Sequence, residues 1–468
     1  MEKTIGIQIG PSSFVDEGIE KCFDTLQKSA AINTIYLSTF SYDRGILGRQ
    51  IPGAKFPDHG VQESDEKYFH GGNYATPHPQ FYTRTAIKGA TMHAPDFGKR
   101  DMVAEILPEA KKRNIKVFCS VQDGFNYPED VSADLQNFLE VRLSGEKGKA
   151  MCFYNPDVQE FWKAVAKDLS SSYDIDGILL FNERNGPLLN AIGISHAQKI
   201  ESDKITCFCK YHEKAAREHG INFERAKEGY RKLNEFVRKS LNDERPIDGY
   251  YVEFNRVLLA YPEIIAYNKL FDMGKREVLK QVYNTVKGVN KGLQVGFHIE
   301  HTNSFNPFYR ASRSYSDLAK IADFLKVVVY NNAGGERYVN FIKNISSTVF
   351  RDVPPEELME IDNYLLNYKN EASFHELPMT GLSPDYVYRE TQRALNGVAG
   401  KCRILPGIDV NIPTGKNSRK ASAKDTYEAT KAAFKAGADG VILSRKYSEM
   451  WMDNLKGAGR AIREAIDS

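Results

Sequence analysis

Apolar residues in this chain occur in two arrangements that alternate along its length: short unbroken runs, and longer stretches in which they recur every three or four positions. The unbroken runs fall at 4–9, 34–40, 115–121, 177–181, 293–299, 324–330, 403–410 and 440–443. A continuous apolar run bounded by turn residues predicts a strand buried on both faces, as in a parallel sheet covered by helices. Helical periodicity separates most of the runs, at 101–113, 252–288, 335–345, 385–396 and 451–466.

Two junctions are written out in full. Asn155 and Pro156 supply a cap and a first-turn proline, Val158, Phe161, Trp162, Val165 and Leu169 follow at helical spacing, and Asp-Ile-Asp-Gly-Ile-Leu-Leu (174–180) turns into a strand. Ser422 and Asp425 form a capping-box pattern, Ala429, Ala433 and Ala436 continue the helix, and Gly437 closes it before the strand at 440–443. Eight strands alternating with helices predict an α/β fold, a (β/α)8 TIM barrel. At 468 residues the chain exceeds the ~250 of a plain barrel. The surplus falls in inserts after strand 2 (about 41–98) and after strand 4 (about 185–250), which leave from C-terminal strand ends and are expected to roof a site there. With no linker or low-complexity segment, residues 1–468 read as one barrel domain.

The bulk properties exclude several partners. A net charge of +2 without a long basic block argues against nucleic acid. No apolar run approaches the ~20 residues of a membrane span. Met1 to Thr4 lead directly into the first strand, leaving no room for a secretory leader, and six cysteines are too few for a disulfide framework in so long a chain. The expectation is a cytoplasmic protein, unless a leader has been removed from the sequence. The 25 Tyr and 26 Phe suit a site that stacks rings on flat apolar ligand faces.

Active sites of α/β barrels lie at the C-terminal ends of the strands, so the residues placed there carry the functional reading. Strand 2 ends at Ser41-Tyr42-Asp43, and strand 3 at Gln122-Asp123 with Asn126 nearby. Strand 4 delivers Asn182-Glu183-Arg184, and strand 5 delivers Glu300 between His298 and His301. Strand 6 ends in Tyr330-Asn331-Asn332, strand 7 in Asp409-Val410-Asn411, and strand 8 in Ser444-Arg445-Lys446-Tyr447 with Glu449 beyond. Cleaving a glycosidic bond requires one carboxylic acid to protonate the leaving oxygen and a second carboxylate to attack or to activate water. Glu183 and Glu300 supply such a pair from neighbouring strands, and Asp409 is a third carboxylate able to replace either. Asn182, Arg184, His298, His301, Tyr330, Asn331, Arg445 and Asp123 would orient the sugar or tune charge. From the strand-2 insert, Tyr74 and His78 are further candidate ligands, in a group with His59, His70, Gly71, Gly72 and Tyr82. Cys207-Phe208-Cys209-x-x-His212 offers two thiols and an imidazole for a metal, but without an obvious fourth ligand it reads first as buried packing of an insert, and no cofactor is expected.

Several of these segments resemble barrel glycoside hydrolases and their uncharacterised relatives, including β-galactosidase-like hypothetical glycosidases. The resemblance is carried by Gly71-Gly72-Asn73-Tyr74-Ala75-Thr76-Pro77-His78, by 110–117, by Asn155-Pro156-Asp157-Val158 ahead of Tyr173-Asp174-Ile175-Asp176-Gly177, and by Cys207-Phe208-Cys209. It spans most of the barrel and implies a glycosidase fold. Asn182-Glu183 is similar to the strand-4 Asn-Glu of clan A glycosidases, where that Glu is the acid/base; clan A places its nucleophile at strand 7, where this chain has Asp409. The α-amylase-type arrangement, with carboxylates after strands 4, 5 and 7, matches Glu183, Glu300 and Asp409 by position, although its strand-4 nucleophile is usually Asp. Relatives often carry a cysteine where His212 stands.

The function expected from the sequence is a retaining glycoside hydrolase acting on a short oligosaccharide or glycoside, with a homo-oligomer compatible with what is seen. Two alternatives stay open. One is a metal-dependent sugar isomerase or epimerase using Glu183, Glu300, His301 and Asp409, and the other is a non-catalytic sugar-binding barrel.

Overall fold

A computed structural model describes residues 2–42, 58–60, 70–123, 127–194, 200–412 and 419–467. All eight expected strands are present: β1 (Thr4–Ile9), β2 (Thr34–Ser41), β3 (Lys116–Gln122), β4 (Gly177–Phe181), β5 (Gln294–Ile299), β6 (Phe324–Val328), β7 (Arg403–Asp409) and β8 (Gly440–Ser444). Each pairs in parallel with its sequence neighbours, and β1 pairs with both β2 and β8, which closes the barrel. Strand β6 stops at Val328, short of the expected 330, and a helix begins at Asn331.

The caps read from the sequence act as expected. Asn155 accepts from Asp157 N with Pro156 in the first turn, and Ser422 and Asp425 form a reciprocal capping box. One helix differs. The stretch expected as a single helix at 252–288 is two, Tyr250–Ala260 and Glu263–Val289, broken at Tyr261-Pro262 because proline has no N–H to continue the ladder.

Alternation along the strands fills the barrel interior in layers. Tyr36, Phe118, Leu179, Phe181, Phe324, Leu405 and Ile442 form an apolar plug of their own, with the Phe118 and Phe324 rings 5.4 Å apart and edge-on. Burying one such ring contributes about 1.5–3 kcal/mol. Gly296 makes room for the plug, since a Cβ there would sit 2.2 Å from the Phe324 ring. Two residues further along the strands, towards their C-terminal ends, the inward positions turn polar: Gln8, His298, Lys326 and Ser444, all buried.

The described part of the strand-2 insert divides: 58–60 lies at the site end of the barrel, with His59 Nε2 2.8 Å from Met450 O beyond β8, whereas the stretch from Gly72 onwards leads away from that end. Gly72–Asn73 adds two antiparallel residues to the end of β2 (Phe40 opposite Asn73, Ser41 opposite Gly72), and Gly72 takes φ +133° against the Met92 carbonyl. The chain then runs down the outside of helix Pro156–Ser172. There His78 Nδ1 lies 2.7 Å from Asp168 Oδ1, and His78 N donates to Asp168 Oδ2 at 2.8 Å, one turn from the helix end remote from the site. A hairpin after β3, Leu139–Val141 with Lys147–Met151, has no counterpart in the sequence expectation. The strand-4 insert is helical, with Lys210–Glu218 and Phe223–Leu241. Among the described residues no helix is long and apolar enough to cross a membrane.

Candidate active site

The C-terminal ends of β4, β5 and β7 bring Glu183, Glu300 and Asp409 to one face of the barrel, in three different environments. Glu183 is the open one, with its side chain 41% exposed. Behind it His298 Nε2 lies 2.6 Å from Glu183 Oε1, within hydrogen-bond distance. The His298 ring is stacked on Phe181 at 4.5 Å, and its burial, together with Lys326, pushes its pKa down to about 4, so the imidazole is neutral at physiological pH.

Glu300 is 5% exposed. Tyr309 Oη donates to its Oε1, and the same oxygen lies 3.3 Å from Arg313 Nη1 and 3.7 Å from Lys275 Nζ. Among the described residues no donor is found for Oε2. Burial raises the Glu300 pKa and the nearby Glu183 charge adds to the rise, with Lys275 and Arg313 opposing. Lys275 is itself pushed down to about 7, mainly by burial and then by Arg313.

Asp409 is occupied by backbone. Its Oδ2 accepts from Ala333 N at 2.7 Å and its Oδ1 from Ile412 N at 3.2 Å, so it anchors the first turn of helix Asn331–Ser346 and the turn after β7. Burial raises its pKa to about 6.

Several expected ligand-binding residues are engaged elsewhere. Arg184 points away from Glu183: its Nε lies 2.8 Å from Asp123 Oδ2, its Nη1 lies 3.3 Å from Glu140 Oε1 and donates to Met151 O at 2.9 Å, and its guanidinium covers Phe153 at 3.6 Å. Asn182 Nδ2 donates to the same Asp123 oxygen at 3.2 Å. Asp123, Asn182 and Arg184 therefore form a buried polar support under the β4 end rather than a sugar-facing trio. Tyr74 is buried with its hydroxyl on Asp96, and His78 sits at the remote end of the barrel. His70 and His59 pair with Asp130 and Glu17. Asn331 donates to Leu382 O. Asp43 and Asn126 lie outside the described residues.

Of the remaining candidates, Tyr330 feels the charges of Glu183 and Arg445, and the His301 ring lies 5.7 Å from the Tyr330 ring. His301 bridges Arg337 Nη1 (3.3 Å from Nδ1) and Tyr386 Oη (3.0 Å from Nε2), and Arg445 Nη2 lies 3.4 Å from Glu449 Oε1. The Glu183 charge acts on Tyr330, Lys326 and Arg337. Sequence reasoning missed Lys275, Arg337 and Lys326. Lys326 did carry a signal, as the one charged residue within the run Phe-Leu-Lys-Val-Val.

A second cluster lies under the strand-4 insert. Cys207, Cys209 and His212 are joined by Cys152, the fourth donor that the sequence did not reveal, and the four ligand atoms lie within 4.8 Å of one another, all buried. Cys152 Sγ is 3.5 Å from Cys209 Sγ and 3.2 Å from His212 Nδ1, and Cys209 Sγ is 3.7 Å from His212 Nδ1. Ligand atoms at the corners of a zinc tetrahedron with ~2.3 Å Zn–S bonds stand roughly 3.7 Å apart, so a Cys3His donor set fits structural zinc.

A closed eight-stranded parallel barrel with helices between its strands and polar residues at the strand C-termini is a TIM barrel. The solved structures it resembles include the β-galactosidase of the psychrophilic Marinomonas ef1 (TM-score 0.54, 10% identity, covering 98% of this chain and 59% of that one). They also include the β-galactosidase of the Antarctic haloarchaeon Halorubrum lacusprofundi (0.53, 12%, 99% and 58%) and α-L-fucosidase isoenzyme 2 of Paenibacillus thiaminolyticus (0.50, 11%, 99% and 49%). The chain spans about half to three fifths of their lengths, and at these identities the likeness is one of fold. No protein-family model matches the chain, and no curated protein matches its sequence.

Proposed function

We propose that this protein is a retaining glycoside hydrolase in which Glu183 is the nucleophile and Glu300 the acid/base. The observation that carries this reading is the contrast between the two carboxylates: Glu183 is open to a ligand with His298 and cations behind it, whereas Glu300 is buried with a raised pKa. Environments that push two neighbouring carboxylates apart in pKa sort acid from nucleophile. Glu300 carries the proton on Oε2, which has no donor among the described residues, and gives it to the glycosidic oxygen as the bond breaks. Glu183 attacks the anomeric carbon, and Glu300 then takes a proton from the water that releases the sugar. Asp409, with both oxygens on backbone N–H groups, supports the loop that carries Tyr330 and the helix behind it. The substrate class is a short oligosaccharide or small glycoside.

The test is a panel of aryl glycosides with E183G and E300G. E183G should lose turnover by about 10³-fold or more with its melting temperature unchanged, and added azide should restore it as a glycosyl azide of inverted configuration. On a substrate that wild type cleaves, E183G activity near the wild-type level would sink the assignment. A first product of inverted configuration from wild type, read by proton NMR, would remove the retaining mechanism.

The isomerase alternative needs Glu183, Glu300, His301 and Asp409 around one cation. Among the described residues, the donors that converge are Cys152, Cys207, Cys209 and His212, away from those carboxylates. We infer that this second cluster holds a structural zinc ion, tying the strand-4 insert to the segment after the β3 hairpin.

A further inference from the structure

Beneath Glu183 the barrel encloses a lysine. Lys326 lies in the middle of β6, fully buried, one inward position above Phe324. Its Nζ meets three polar atoms: the acceptors Gln8 Oε1 at 2.5 Å and Tyr330 Oη at 2.9 Å, and His298 Nδ1 at 3.4 Å. Burial pushes the Lys326 pKa down to about 7, and in its protonated form its three N–H groups match these three neighbours. The surroundings are shaped for it. A Cβ on Gly407 would lie 3.0 Å from Lys326 Cε, Ser444 Oγ holds the same Gln8 oxygen at 2.9 Å, and Nζ stands 5.4 Å from the Phe181 and Tyr330 ring centres.

A buried ammonium is costly unless an anion balances it. No carboxylate lies within ion-pair distance of Lys326 among the described residues. The charged groups that act on it are Glu183, on the far side of His298, and Arg445 at the end of β8. Glu183, Lys326 and Lys275 act in turn on His298. Glu183, Arg337 and Arg445 act on Tyr330. Among the described groups that act on the lysine, Glu183 is the one that favours its charge, and the imidazole stands between them.

We propose that Lys326 is a positioning residue that acts through His298: by donating to Nδ1 it fixes the imidazole as the Nε2–H tautomer, so that Glu183 always faces a proton donor with a cation behind it and stays ionised. A neutral imidazole has one donor and one acceptor nitrogen, and the partner of one decides the role of the other. Without the lysine, the Nδ1–H tautomer would turn the Nε2 lone pair on the Glu183 carboxylate, disfavouring its charge. The consequence for rate rests on the glycosidase reading of Glu183; the tautomer does not.

The experiment is nitrogen NMR of [15N]histidine-labelled full-length protein, with His298 assigned by its loss in H298Q, followed from pH 5 to 8. Wild type should show a protonated Nε2 and a bare Nδ1 throughout. K326M should show a mixture of tautomers, or an imidazolium appearing towards neutral pH. K326Q, which keeps an N–H donor without the charge, should keep the wild-type tautomer. If a glycoside substrate is found, K326M should lower kcat/KM on the order of 10- to 100-fold and move the acid limb of its pH profile up by about one unit. An Nδ1–H tautomer in wild type, or an unchanged tautomer in folded K326M, overturns the proposal whether or not the protein cleaves glycosides. Should K326M not fold, K326A removes the donor in the same way and carries the same two outcomes.

Discussion

Replacing Arg184 with methionine should destabilise the protein in a strongly pH-dependent way. Arg184 is 9% exposed and lies between two buried carboxylates, Asp123 at 2.8 Å and Glu140 at 3.3 Å, whose side chains are 7% and 4% exposed. Removing one partner of a buried ion pair typically costs about 3–5 kcal/mol, because a charge is left uncompensated. The size of the loss depends on whether Asp123 can escape by taking a proton. In the wild type, burial raises Asp123 to about 6, with Arg184 the main opposing influence. Without Arg184 that value climbs further. An acid whose folded pKa is raised loses stability as pH rises from its unfolded value of ~3.9 to its folded one, at about 1.4 kcal/mol per unit. Wild type stops losing near pH 6, whereas R184M continues. The difference between the two should therefore be about 4 kcal/mol at pH 7.5 and smaller by about 2 kcal/mol at pH 5.5. Denaturant unfolding at the two pH values measures it, and R184M/D123N should recover much of the loss at pH 7.5. A difference below about 1 kcal/mol at pH 7.5, or an equal one at both pH values, would refute the buried-charge account.

Two further outcomes follow from the same structure. D409N must set an amide N–H2 against either Ala333 N–H or Ile412 N–H, which should cost about 1–3 kcal/mol while leaving kcat of the folded protein within about tenfold of wild type; a loss of turnover as deep as that of E183G would return Asp409 to the reacting carboxylates. Purified protein should contain one zinc ion per chain by elemental analysis. Stripping it with a strong chelator, or replacing Cys152 with serine, should lower the melting temperature by several degrees, and metal-free protein of unchanged melting temperature would leave the four residues as packed thiols and an imidazole.

The sequence alone determined the barrel. Strand runs such as 177–181 and 440–443 are apolar throughout because both of their faces are covered, and Asn155-Pro156 and Ser422-x-x-Asp425 mark helix starts through local hydrogen bonding that needs no distant partner. It also placed Glu183, Glu300 and Asp409 at strand ends, since alternation and topology fix which end of a strand faces the site. Only the tertiary structure decided what each group touches. Arg184 follows Glu183 directly, yet successive residues leave a strand on opposite sides, and its partners Asp123 and Glu140 come from other elements. His78 sits in a loop that leaves the site face, but the chain carries it down to Asp168. Cys152 stands 55 positions before Cys207, a separation that no local pattern bridges, and folding brings both to His212. Lys326 was visible as a charge inside an apolar strand; that it lies under Glu183 with His298 between them depended on three strands meeting in the closed barrel.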